Sequence, residues 1–153
     1  MLIMCDIDGV VADPRVFVKQ YLMCTPANWS EYFKHTLEMP SIPLVVAFLN
    51  GLALDDNTIM FCTGRPESNR DSTLKWLRYT LRLHVGNYHL VMRADKDFRA
   101  GSILKLAWAR VLKPDLILED EPDAVKLLRC DGFTVLQIHG HRIGATLSDH
   151  IPV

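Results

Sequence analysis

The 153-residue chain predicts an α/β fold, with a mainly parallel five-stranded sheet and helices on both faces. Three observations carry this expectation. Five short apolar runs rich in branched residues recur along the chain, and each is nearly continuous instead of alternating, as expected of strands covered on both sides. Segments of helical period fall between them. At 49% hydrophobic and 23% charged residues, the chain reads as one domain, 1–153, long enough to bury a core.

The first strand is expected over Leu2 to Cys5, where an apolar run stops at two acids. The stretch of about 13–43 breaks the rhythm: "VFVKQYLMC" and "NWSEYFKHTLEMP" are short helical pieces between prolines, expected as a small insertion lying over the end of that strand. Thr58 to Cys62 gives the second strand, and Leu74, Leu77 and Leu81 then mark a helix by their i, i+3, i+7 spacing. His89 to Met92 is the third strand. Leu104, Ala107, Trp108 and Val111 outline the next helical face. Asp115 to Leu118 and Phe133 to Ile138 complete the five, and the tail "HGHRIGATLSDHIPV" reads as loop, with His139 and His141 as solvated side chains. There is no internal repeat or low-complexity segment.

Composition excludes several classes. No apolar run approaches the ~20 residues of a membrane span, and the opening run, short and closed by acids, does not read as a secretory leader. The cysteines Cys5, Cys24, Cys62 and Cys130 form no CxxC pair, so they are expected to be reduced core thiols of a cytoplasmic protein. Net charge is -1, yet unevenly spread: from Arg65 to Lys113, eleven Lys and Arg stand against four Asp and Glu. A basic middle between acidic ends suits an anionic substrate beside a metal.

In parallel sheets, ligands bind at the carboxyl ends of the strands. The sequence places Asp6-Ile7-Asp8-Gly9, Thr63-Gly64-Arg65, Arg93 and Glu119-Asp120 at four such ends. Asp6 and Asp8 are two apart, so an extended backbone would turn both to one side. Gly9 allows a sharp turn and close approach of a ligand. An EF-hand is excluded, because Val10 and Val11 stand where that loop needs an oxygen ligand and a glycine.

"DIDGV" after an apolar strand resembles the first motif of the haloacid dehalogenase superfamily of phosphohydrolases. "FCTGRPESNRDSTLKWL" is similar to its second motif and "LILEDEPDAVKLLRCDGF" to its acidic fourth. Between them, "MRADKDFRAGSILK" resembles the phosphatase domains of bacteriophage-type polynucleotide kinase-phosphatases, with Arg93, Asp97, Arg99 and Lys105 at matching spacings. The resemblance implies a Rossmann-like fold with a minimal cap and a Mg²⁺-dependent phosphomonoesterase acting through an aspartyl-phosphate. Its implied substrate is a phosphorylated nucleic-acid 3'-end; separately, neither a stable protein partner nor a membrane is expected. It also implies roles: Asp6 as nucleophile and Asp8 as general acid, then base. Thr63 and the Gly64 amide would hold the phosphoryl group, and Lys105 and Arg99 would neutralise it. Arg65 and Arg93 would bind a substrate phosphate. Mg²⁺ fits a site of Asp6, the Asp8 carbonyl and an acid from Glu119-Asp120, with Asp123 a further candidate and the choice between Glu119 and Asp120 left open. Pro66 and Glu67 suit a helix start whose free amides favour anions.

Two departures bear on the substrate: Phe17 stands where relatives often carry an arginine, and Gly101 where an acid is common. Without a GxxxxGK[ST] segment there is no P-loop kinase half. Trp29, Trp76 and Trp108 are candidates for stacking bases, with core packing the better expectation for Trp108. A nucleoside 5'-monophosphatase, a small-metabolite phosphatase, and a non-catalytic protein that holds DNA ends remain as alternatives.

Overall fold

The computed structural model describes residues 1–53, 57–81 and 88–138; His139 and His141 lie outside them. Five strands, β1 (Leu2–Cys5), β2 (Thr58–Pro66), β3 (Tyr88–Arg93), β4 (Leu116–Glu119) and β5 (Val135–Gln137), form one sheet of order β3-β2-β1-β4-β5 with every pairing parallel. The chain starts at the centre, builds outward through β2 and β3, then returns to build the other half. That reversal opens a crevice at the carboxyl ends of β1 and β4.

Strand alternation sorts the core into two clusters. Ile3, Cys5, Ile59, Phe61 and Leu118 point to one face, where they meet Leu49 of α3 (Pro43–Ala53) and Trp76 and Leu77 of α4 (Arg70–Thr80). Met4, Cys62 and Ile117 point to the other, against Ala109 of α5 (Gly101–Leu112) and Val125 and Leu128 of α6 (Pro122–Cys130). The insertion contributes the short α1 (Arg15–Phe17) and α2 (Trp29–Lys34), and its neck is closed by Asp13 N–H to Pro40 O at 2.7 Å and Ile42 N–H to Val11 O at 2.7 Å. Among the described residues no helix is long and apolar enough to cross a membrane.

Several expectations need correction. Val111 is exposed, and the buried face of α5 is instead Leu104, Lys105 and Ala109. The helix is rotated by about one position from the purely apolar stripe, which turns Lys105 inward. Cys24 and Cys130 are exposed, at a turn and a helix end, and so are not core thiols. Trp76 is buried, with its indole N–H donating to Met39 O at 2.8 Å, and cannot stack a base. Pro66 is extended and ends β2; the helical turn begins at Glu67, and the Ser68 amide there donates to Asp95 at 2.9 Å.

Candidate active site

Asp6 follows β1 and shares the parity of Met4, so it faces the side on which α5 packs. Glu119, at the end of β4, shares the parity of Ile117 and faces the same way. Lys105 comes up from α5 between them, its Nζ donating to Asp6 Oδ2 at 2.8 Å and to Glu119 Oε1 at 2.7 Å. Asp120 completes a cluster in which one carboxylate oxygen each of Asp6, Glu119 and Asp120 lies within 4.8 Å of the others. All four residues are buried.

One ammonium among three buried carboxylates is an unequal balance. Burial, with Glu119 adding to it, pushes Asp6 up to about 7 against the opposing pull of Lys105. Burial, then Asp6 and Glu119, pushes Asp120 up to about 9. Lys105 is opposed by its own burial, but Asp6 and Glu119 outweigh that and raise its pKa. The cluster therefore has room for further positive charge. Glu119 is the best satisfied of the acids, its Oε1 accepting from Lys105 and from the amides of Asp120 and Glu121 at 3.1 and 3.0 Å.

Asp8 departs from expectation. The strand stops at Cys5 and the chain folds into a tight turn in which Ile7 O accepts from the amides of Val10, Val11 and Ala12. Strand alternation therefore does not carry to Asp8, whose carboxylate pairs with Arg65 of β2. Arg65 grips it with two bonds, Nη2 to Oδ1 at 2.7 Å and Nε to Oδ2 at 2.8 Å, and Tyr32 O–H of the insertion adds 3.3 Å to Oδ1. Arg65 was expected to hold a substrate phosphate. Instead its side chain is fully buried over Trp76, with Cζ 5.9 Å from the ring centroid, and its charge is engaged by Asp8. Each Asp8 oxygen has more than one acceptor direction, and Oδ2 makes the single contact to Arg65 Nε, so it keeps an open lone-pair direction.

Gly9 makes the cluster possible. It adopts φ +87°, and a Cβ there would fall 2.0 Å from Asp120 Oδ2. Gly9→Ala is expected to cost about 1–2 kcal/mol for a side chain at left-handed φ, and more as Asp120 is displaced. A melting curve in EDTA and its shift on titrating Mg²⁺ check this; wild-type values for both would refute it.

Thr63 is buried within β2, where regular pairing with β3 stops, its Oγ accepting from the Arg65 amide at 3.2 Å. Arg93 at the end of β3 donates to three carbonyls: Nε to Gly64 at 3.0 Å, and Nη1 to Asp97 at 2.9 Å and Arg99 at 2.6 Å. It thus ties the loop after β3 to β2 at Gly64, through carbonyls and not through an ion pair with Asp95 or Asp97. Arg99 is half exposed and forked onto the Asp97 carboxylate at 2.5 to 3.1 Å. Glu121 was missed: its Oε2 lies 3.7 Å from Lys105 Nζ and 3.4 Å from where a Gly101 Cβ would stand. An acid thus faces the start of α5 from another element, where the related pattern has one at 101. The run Glu119-Asp120-Glu121 was the signal that could have found it.

A central parallel sheet whose switch point gathers Asp6, Asp120, Glu119 and Lys105, with Thr63 on the adjoining strand, has the architecture of the haloacid dehalogenase class. The family model for the polynucleotide kinase PNKP phosphatase domain matches residues 1–141, and the chain belongs to that family. Among solved structures it is similar to a chain of the Pnkp1/Rnl/Hen1 RNA repair complex, at 19% identity and a TM-score of 0.65 over 90% of this chain and 42% of that one. A class C acid phosphatase from Bacillus anthracis with tungstate bound is similar at 16% identity and a TM-score of 0.62, over 90% and 66% of the two chains. A hydrolase from Pseudomonas syringae follows at 14% identity, TM-score 0.57, over 90% and 83%. At these identities the likenesses concern the fold, and the chain spans less than half the length of the repair-complex protein. No curated protein matches it.

Proposed function

We propose that the chain is a Mg²⁺-dependent phosphomonoesterase that works through an aspartyl-phosphate on the 3'-phosphate ends of nucleic acid. The observation that carries this reading is the buried Asp6 carboxylate, placed at the sheet's switch point and bonded to Lys105 beside two further acids. Membership in the PNKP phosphatase family supports the substrate class.

The donor set suits the metal. Mg²⁺ prefers hard oxygens in octahedral geometry, and one carboxylate oxygen each of Asp6, Glu119 and Asp120 lies within 4.8 Å of the others. Asp6 and Asp120, with the Asp8 carbonyl, are the proposed ligands, because Glu119 is already committed to Lys105 and two amides. When bound, the ion would screen Asp6 from the incoming phosphate and stabilise charge on its oxygens.

The residues then divide the work. An Asp6 oxygen attacks phosphorus as the ester P–O bond breaks, and Asp8 gives a proton to the departing ester oxygen, which leaves as a hydroxyl. Water next attacks the phosphoryl group, passing a proton to Asp8 as the bond to Asp6 breaks. Lys105 holds Asp6 in line and offsets charge on the transferring group. Thr63 and the Gly64 amide cradle that group.

The test is phosphate release from a 3'-phosphorylated oligonucleotide and from 5'-mononucleotides at matched concentration, with Mg²⁺ and with EDTA. Higher kcat/KM on the oligonucleotide, abolished by EDTA, is expected. Preference for mononucleotides would move the enzyme to nucleotide turnover, and activity indifferent to EDTA would remove the metal from the mechanism.

A further inference from the structure

Phe98 leaves 91% of its surface exposed, more than any other large apolar side chain among the described residues. It lies in the loop between β3 and α5. A ring so placed adds nothing to the core, yet the backbone under it is firmly held. Arg93 Nη1 donates to the carbonyls on both sides of it, Asp97 O at 2.9 Å and Arg99 O at 2.6 Å. The Asp97 amide closes a turn onto Ala94 O at 2.9 Å, and the Asp97 carboxylate accepts from the Arg99 amide at 3.1 Å. The ring is therefore presented to solvent on a pre-ordered support, which lowers the entropic cost of binding something flat against it.

Its position is tied to the site at both ends. Arg93 also anchors to Gly64 O, next to Thr63. Three residues beyond Phe98, within about 11 Å of chain, α5 begins at Gly101 beside Glu121, and one turn later Lys105 reaches Asp6. Exposed Lys96 stands two residues before the ring, and half-exposed Arg99, forked onto the Asp97 carboxylate, directly after it. An exposed aromatic on an ordered support is how proteins hold unpaired bases, the ring taking the base face, and Lys96 is a basic side chain within reach of the backbone.

We infer that Phe98 is a stacking platform for the nucleobase next to the scissile phosphate, and so a specificity-determining residue that favours base-bearing phosphate esters over base-free ones. The inference rests on the nucleic-acid reading given under the proposed function. Phe98→Ala and Phe98→Leu should lower kcat/KM on a 3'-phosphorylated oligonucleotide about tenfold, chiefly through KM, the order expected for one lost stacking contact. The same end made abasic should be hydrolysed equally by wild type and variants, and Phe98→Trp should retain the wild-type preference. Equal losses on the base-bearing and abasic ends would show a merely structural role and overturn the inference. So would a Leu or Ala variant that keeps the full preference, or a Trp variant that loses it.

A second readout separates this failure from that of the proposed function. An oligonucleotide with a 3'-phosphate and 2-aminopurine as its terminal base, bound in EDTA, should be quenched by wild type and Phe98→Trp but not by Phe98→Ala. If wild type fails to hydrolyse the oligonucleotide, the proposed function falls while this quench still decides Phe98. Absence of quench, or quench equal in the Ala variant, overturns the stacking assignment, and a protein partner would then be the better occupant of that ring.

Discussion

Replacing Asp6 with asparagine is expected to abolish turnover while leaving the fold intact. The swap is nearly isosteric, and an amide oxygen can still accept the bond that Lys105 Nζ makes at 2.8 Å, but it cannot form the covalent phosphoryl intermediate. Removing a nucleophile from an enzyme that depends on one typically lowers kcat by at least about 10⁴-fold. The same change relieves the cluster. Burial pushes Asp6 up to about 7, so in the folded state its ionised form is disfavoured relative to the unfolded chain. That disadvantage is absent below the ordinary carboxylate range of about 4, grows as pH rises from there to about 7, and is fully present above it. In EDTA at pH 8 the variant should therefore melt at or above the wild-type temperature. Loss of activity with no loss of stability separates a chemical role from a structural one. A variant that retained most of its phosphate release would remove Asp6 from the mechanism, and one that melted well below wild type would show that the carboxylate holds the sheet end together.

The sheet was legible because its strands are buried on both faces and so read as continuous apolar runs; all five lie within a few residues of their expected bounds. The gathering of acids, a threonine and arginines at one edge followed from the parallel topology alone. Side-chain direction was legible where the strand persists and illegible where it stops. Asp6 and Glu119 obey alternation and meet. Asp8, beyond a turn pinned by three amides on Ile7 O, does not. Arg65 was misread because its type and place suit a phosphate, whereas its burial depends on Trp76 and the insertion, partners that no local pattern exposes. Tyr32, which reaches Asp8 from 24 residues away, went unnoticed for the same reason. Lys105 teaches the opposite lesson. An apolar stripe through Leu104, Trp108 and Val111 leaves a lysine just off its edge, and the helix turns to bury that lysine because two carboxylates await it.

Lys105→Met therefore should have the largest combined effect on stability and activity. Methionine keeps the length and apolar stem of lysine but leaves Asp6 and Glu119 buried without their cation. Breaking a buried pair by removing one partner costs about 3–5 kcal/mol, because the stranded charge has lost both water and its partner. For a domain of this size each kcal/mol shifts the melting temperature by roughly 2–4 °C, so a fall of about 10 °C in EDTA is expected. Mg²⁺ should raise the melting temperature of the variant more than that of wild type, since the ion would supply positive charge among the same carboxylates. Turnover should stay far below wild type even with Mg²⁺, because the Asp6 oxygen loses the bond that aims it. Lys105→Arg should recover stability better than activity, as a guanidinium keeps the charge but not the compact geometry between Asp6 and Glu119. A Met variant that melts like wild type in EDTA would mean that the two acids take up protons instead of bearing charge. The bonds from Lys105 to Asp6 and Glu119 would then not be what holds this end of the sheet.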